Sequence, residues 1–353
     1  MSSFVELQER YLPLVEAKLE VFFRQCEEQG FRWSAEMSRY HFSTGGKRLR
    51  ALIPCWIYAC YGRDPLEALP LGCSIEIAHN ATLVHDDLQD GDLTRRGKPT
   101  VWAKYGQAQS INCGDSLFFF ALKMLEELEV PAATWRNIAG RLMSGLLRVI
   151  EGQAQEFLMK EEPFPAWDRY LDVVSGKTAA LFSSAVVTAL ESLGEMPETL
   201  AWAERAAMRS GILFQIQDDL LDVYGDKQRD RKGSDIAEGK ISALVATFNE
   251  EASADEREIL SRVLSAARET VTDAQIAEVV QMFESRRIKE KVLARLDELQ
   301  VPLPPPATCR AGDEMTEFFG LINRRFLSPI ENIYPKSIEP TQKGKAWTSA
   351  SVN

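Results

Sequence analysis

Two segments carry most of the chemistry this chain can express: His85-Asp86-Asp87-Leu88-Gln89-Asp90 and Gln217-Asp218-Asp219-Leu220-Leu221-Asp222. Each is a DDxxD at the end of an apolar run. With 18 Asp among 353 residues, the pattern arises by chance about 0.05 times per chain, so finding two is no accident of composition. On a helix, positions i and i+4 share a face, so Asp86/Asp90 and Asp218/Asp222 project as carboxylate pairs. Like charges that close destabilise a helix unless a cation occupies the pair. A solvated acidic helix end is the blander reading of either motif alone and a poor one for both. The chain has only three His, and its six Cys form no CxxC pair. A metal would therefore be held mainly by carboxylates, which favours a hard cation such as Mg²⁺.

The complementary charge sits in Gly45-Gly46-Lys47-Arg48-Leu49-Arg50 and Arg95-Arg96-Gly97-Lys98-Pro99, each with three cations and no acid. Glycines allow close backbone approach, and the guanidinium fork matches phosphate oxygens. The second cluster starts five residues after Asp90, so anion-binding and metal-binding groups leave one helix end together. A diphosphate held between cations and Mg²⁺ explains both. Gly176-Lys177-Thr178 can add a cation and a hydroxyl. Gln215 lies one turn before Asp218, on its face. The segment Lys232–Lys240 (KGSDIAEGK) follows the second acidic motif after a short loop. Taken singly, Gln215 reads as a satisfied polar side chain as readily as a functional one, and Lys240 as a surface lysine.

The elements that must position these groups are helical. Apolar residues recur at i, i+3, i+4, and strand-like alternation is nearly absent. Helices are expected over about 3–29, 33–41, 47–61, 67–91, 101–128, 132–160, 167–190, 197–225, 241–250, 254–269, 273–299 and 312–327. Short Gly/Pro/Asp breaks join antiparallel neighbours, so the expectation is one all-α domain over residues 1–332, a helical bundle around a central cavity. A polar tail, 333–353, is expected to be disordered. Apolar residues at 45% can fill a core, and the net charge of −11 (41 − 52) argues against nucleic-acid or anionic-membrane surfaces. No apolar run is expected to span a bilayer, and the acidic N-terminus is no signal peptide, so a cytoplasmic protein with buried free thiols is expected.

The motif order from about Tyr40 to Ser242 resembles the all-trans isoprenyl diphosphate synthases, or polyprenyl synthetases: GGKRLR, EIAH before HDDLQD, RRGKPT, GDSLF, GQAQE, SGKTAAL, FQIQDDLLD and GSDIAEGKIS. The resemblance implies an all-α fold, a homodimer, and condensation of isopentenyl diphosphate with an allylic diphosphate. Ionisation of the allylic C–O bond would give a carbocation, attacked by the isopentenyl π-bond, with the departing diphosphate taking the proton. Matching residue by residue, it implies Asp86, Asp90 and Asp218 as ligands of about three Mg²⁺, supported by Asp87, Asp219 and Asp222. It puts Arg95, Lys177 and Lys240 on the allylic diphosphate, Thr178 and Gln215 beside the reacting carbon, and Lys47, Arg50, His79 and Arg96 around isopentenyl diphosphate.

There are departures from the family pattern. Arg231-Lys232 replaces a single lysine, so either could contact phosphate; Ser242 replaces a threonine, and Glu156 an Asp. Ile77, Ala78, Ala81 and Thr82, one and two turns before Asp86, are expected along the growing chain; none is aromatic, consistent with a geranylgeranyl or longer product. Phe118, Phe119 and Phe120 are candidates for a floor. A class I terpene cyclase also uses DDxxD, but the second such motif and GGKRLR weigh against it. A non-catalytic subunit would have lost ligands, whereas all six Asp are intact.

Overall fold

A computed structural model describes residues 4–225 and 232–334. Arg231 and the tail beyond residue 334 lie outside the described residues. The fold is all-α. In chain order the helices are α1 (Phe4–Glu28), α2 (Arg32–Ser43), α3 (Leu49–Cys60), α4 (Leu69–Gln89), α5 (Val101–Tyr105), α6 (Gln107–Leu125), α7 (Ala132–Glu161) and α8 (Trp167–Val174). A π-helical turn, Ser175–Ala179, then leads into α9 (Ala180–Ser192) and α10 (Pro197–Tyr224). The remainder are α11 (Ser234–Ala237), α12 (Ala243–Asn249), α13 (Ala254–Leu264), α14 (Asp273–Ser285), α15 (Ile288–Gln300) and α16 (Gly312–Leu327).

The chain groups into two compact units. The first runs to Leu158 and includes Leu171–Ile212 and Gln300–Ile322; the second comprises Met159–Tyr170, Leu213–Leu299 and the chain from Asn323. In the first, α3 is apolar nearly all round and almost wholly buried, with Leu52, Ile53 and Ile57 inaccessible and Trp56 edge-on to Phe318 at 5.2 Å. Each such side chain contributes about 1.5–3 kcal/mol by leaving water. Gly72 permits the α3–α4 contact, since a Cβ there would sit 2.2 Å from the Ala51 carbonyl oxygen. The second unit centres on Phe248 and Phe283, rings 5.3 Å apart, with Val279, Val292 and Leu296.

The expected helices are present with four corrections, of which one is that the stretch 254–269 ends at Leu264, ahead of a separate 3₁₀ turn at Arg268–Thr270. The stretch 101–128 is broken at Gly106 (φ 89), where α5 ends. The stretch 273–299 is broken by Arg287 (φ 55), between α14 and α15. The stretch 167–190 contains the π turn. Two features were not anticipated: α11, and a two-residue-per-strand hairpin, β1 (Thr94–Arg95) and β2 (Lys98–Pro99). Arg96 (φ 52) and Gly97 (φ 75) form its turn, the left-handed pair that tight hairpins need. Trp167–Ser192 is long and apolar enough to cross a membrane, against expectation; 78% of its most apolar window is buried inside the protein, as in a core helix. Five of the six thiols are buried.

Candidate active site

In the first unit, α4 delivers the first acidic motif. Asp90 caps the helix through its backbone N–H on the Asp86 carbonyl (2.8 Å), and Gly91 (φ 71) turns the chain away. Asp86 stays half-buried, whereas Asp87, one position on, points inward and is 1% exposed. Arg95 from β1 donates to both Asp87 oxygens, its Nε at 2.8 and 3.0 Å and its Nη2 within 2.6 Å of Oδ1. The expected diphosphate contact Arg95 is thus already paired inside the protein.

The two basic segments come together. Lys98 Nζ donates to the Ser43 carbonyl (2.6 Å), Tyr40 hydroxyl to the Pro99 carbonyl (2.8 Å), and Arg96 to the Gly45 carbonyl. Gly46 has a φ of 146 that favours glycine, and a Cβ there would lie 2.8 Å from Arg96 and 3.0 Å from Arg48, so both guanidinium tips would have to shift outward. The cations then sort by role. Arg48 is 2% exposed, bonded to Glu16 and to the Phe42 carbonyl, and braces the core. Lys47 is exposed. Arg50 Nη1 lies 3.0 Å from His79 Nε2, and its Nε is buried with no partner among the described residues. Burial, with Arg50 next, holds the His79 pKa well below its ordinary range, so the neutral ring accepts from Arg50. A buried, unpaired guanidinium donor calls for an anion.

Lys177 and Thr178 lie in the π turn, a geometry frequent at functional sites. Lys177 is ion-paired with Glu156 of α7. Burial pushes the Asp86 carboxyl up to about 6, Asp90 and Glu156 add to this, and Lys177 and Arg95 oppose it. Burial works against the Lys177 charge, yet Glu156, Asp86 and Asp90 hold its pKa above the usual lysine range. Asp86, Asp90, Glu156 and Lys177 therefore form one electrostatic cluster. Gln153 Nε2 adds a 3.0 Å bond to Gln89 beside it. The sequence marked Glu156 only as a departure from a pattern and did not identify it as the Lys177 partner.

In the second unit, α10 delivers Gln215, Asp218, Asp219 and Asp222. Asp219 accepts from the Tyr170 hydroxyl (2.7 Å), Gln215 Nε2 (2.9 Å) and the Ala243 backbone N–H (2.7 Å). Burial, with Asp235 adding, pushes its carboxyl up to about 7 against these three donors. Asp222 accepts from the Ser234 hydroxyl (2.6 Å) and the Asp235 N–H (3.0 Å). Asp218 alone of the three is not buried. Lys240 lies 2.6 Å from Glu238 and 3.5 Å from Asp235, and Lys232 is exposed. Ser242 caps α12, its Oγ 3.4 Å from the Val245 N–H, a job threonine does equally. No sequence signal pointed to Tyr170.

Residues 31–283 match the polyprenyl synthetase family. The chain is 32% identical over 283 residues to the geranylgeranyl diphosphate synthase of Mycobacterium tuberculosis, covering 76% of this chain and 80% of that one. It is 33% identical over 248 residues to the short chain isoprenyl diphosphate synthase of Methanocaldococcus jannaschii, covering 70% and 75%. The chain belongs to the polyprenyl synthetase family. Like its family, it is an isoprenyl diphosphate synthase, a transferase of prenyl groups. The crystal structure of geranylgeranyl pyrophosphate synthetase from Pyrococcus horikoshii superimposes with a TM-score of 0.76 at 27% identity, over 91% of this chain and 99% of that one.

Polyprenyl synthetases imply Mg²⁺, and the donor set fits it. Among the described residues no three His, Cys, Asp or Glu converge as a ready-made metal cage. Mg²⁺ bound through one or two carboxylates, waters and substrate phosphates needs none. Along the expected chain path, Ile77, Ala78 and Ala81 are fully buried, and Thr82 is half-buried with its hydroxyl on the His79 carbonyl (2.7 Å). Phe120 joins Phe22 and Phe23 in the core, with the half-exposed Phe31 ring against its outer side, and Phe119 is 72% exposed. Of the three candidate floor residues only Phe118 lies near the motif, 5.8 Å from the His85 ring.

Proposed function

We propose that this prenyltransferase condenses isopentenyl diphosphate with an allylic diphosphate, head to tail and trans, to give geranylgeranyl diphosphate. The observation that carries the reading is the junction of the two basic segments around Arg50, whose buried Nε lacks a partner among the described residues. Lys47, Arg50, His79 and Arg96 would hold isopentenyl diphosphate. Lys177, Lys240, Lys232 and Arg95 would hold the allylic diphosphate, with Arg95 presented by Asp87. Asp86, Asp90 and Asp218 would hold Mg²⁺, which when bound supplies charge neutralisation for a leaving diphosphate.

Lys177 spreads the charge that builds on the leaving oxygen as the C–O electrons depart with diphosphate. By the family resemblance, Thr178 and Gln215 would each lie beside the carbon left cationic. The isopentenyl π-bond forms the new C–C bond, and the proton lost beside it goes to the departing diphosphate. Ile77, Ala78, Ala81 and Thr82 keep water from that cation. Names of relatives and the small size of Ala78 and Ala81 support the geranylgeranyl product. A homodimer is supported by the exposed apolar stripe Met143, Leu147 and Ile150 on α7. The buried thiols support a cytoplasmic setting.

Incubation with Mg²⁺, isopentenyl diphosphate and dimethylallyl, geranyl or farnesyl diphosphate should yield linear C20 alcohol after dephosphorylation, and none with EDTA. Cyclic hydrocarbon from the allylic substrate alone would instead mark a cyclase. Ala81→Phe should shorten the product; an unchanged distribution would take Ala81 off the chain path.

A further inference from the structure

We infer that Glu156 is a positioning residue that holds the Lys177 ammonium before an allylic diphosphate arrives and then competes with that diphosphate for it. This rests on the prenyl-transfer reading only for the identity of the organic substrate. The contact itself is built by backbone. A Cβ on Gly152 would sit 2.2 Å from the Lys177 nitrogen, and one on Gly176 3.0 Å from the Arg148 carbonyl oxygen and 3.1 Å from the Gly152 Cα. These two glycines let α7 touch the π turn main chain to main chain. Glu156 lies one helical turn beyond Gly152 and so on the same face. Lys177 immediately follows Gly176. The spacing of the pair is therefore fixed by the scaffold and not by two wandering side chains.

The surroundings make the pairing an exchangeable one. Lys177 and Glu156 are 22% and 17% exposed, so the pair is partly screened from water but open to a ligand. Lys177 also feels Asp86 and Asp90, which leaves this cluster of four with three carboxylates against one ammonium. An arriving diphosphate must draw Lys177 away from Glu156 and meets that carboxylate as a like charge. Glu156 thereby weakens diphosphate binding and eases its departure, and it holds the ammonium in place between one diphosphate and the next.

The test is calorimetric titration of inorganic diphosphate, with and without Mg²⁺, into wild type, Glu156→Gln, Glu156→Asp and the Glu156→Gln/Lys177→Met pair. Glu156→Gln should tighten diphosphate roughly tenfold, lower KM for the allylic substrate and lower kcat. Glu156→Asp, one methylene shorter, should fall between. In the Lys177→Met background the Glu156→Gln gain should shrink by more than half. Unchanged or weaker diphosphate affinity in folded Glu156→Gln, or a full gain without Lys177, overturns the inference. If Glu156→Gln does not fold, Glu156→Asp decides by the same titration. Wild type that binds diphosphate but transfers no prenyl group would sink the prenyl-transfer reading and leave the exchange standing.

Discussion

The two DDxxD motifs are the same five-letter pattern used differently. In both, the second Asp turns inward: Asp87 onto Arg95, Asp219 onto Tyr170, Gln215 and the Ala243 N–H. They part company at the fifth position. Asp90 stays half-buried at the end of α4, while Asp222 is 3% exposed and holds Ser234 and the Asp235 N–H. The first motif keeps Asp86 and Asp90 beside Lys177; the second spends two of its three carboxylates fastening the segment 233–243 to α10. A motif read as chemistry is in the second case as much architecture as ligand.

The sharpest way to break this contrast is to remove one acid from each motif. Asp86→Ala should cut turnover by about a thousandfold or more while leaving the urea midpoint near wild type. Asp219→Ala should do the reverse first. It strands the Tyr170 hydroxyl and the Ala243 N–H in the interior, costing about 3 kcal/mol or more, read as a lowered denaturation midpoint. Equal stability losses in the two variants would erase the distinction.

Acid should also separate the two units. Burial, aided by Arg95, holds His41 down to about 3 from its ordinary 6.5. Its folded pKa is depressed, so the unfolded chain takes up a proton below pH 6.5 that the folded chain refuses until about pH 3. Stability therefore falls as pH drops through that window, by about 2 kcal/mol at pH 5 from His41 alone. His79 adds in the same direction. In the second unit Glu256 is lowered to about 2 by Arg286, so its stabilisation persists above the unfolded value of 4.5 and is lost only as pH falls toward 2. Site-resolved hydrogen exchange at pH 7 and pH 5 should show α2 losing protection before α13, whereas in α4 the raised Asp86 carboxyl, which takes up its proton more readily folded than unfolded, works against His79. The smallest effect is expected at the α12 cap: Ser242→Ala should cost about 1 kcal/mol and Ser242→Thr almost nothing, measured by urea denaturation.

Much of the helical skeleton was legible because long amphipathic runs and Gly/Pro breaks are local signals; α4, α7, α10 and α16 appear within two residues of expectation. The hairpin was not, because two-residue strands carry no alternation to read. The π turn was equally silent: it lies where Gly152 and Gly176 bring two backbones together, a tertiary contact that local patterning does not record.

By itself the sequence determined which groups are chemically able: carboxylates paired at i and i+4, cations gathered near glycines, helices to carry them. Tertiary structure decided which of those groups are already engaged. Arg48, Arg95, Asp219 and Asp222 have the same side chains as their neighbours in the motifs, but each lies against a specific protein partner. Spacing along a helix sets the direction in which a charge points; only packing against the rest of the chain sets what it meets and how much water it keeps, and from these follow its pKa and its role.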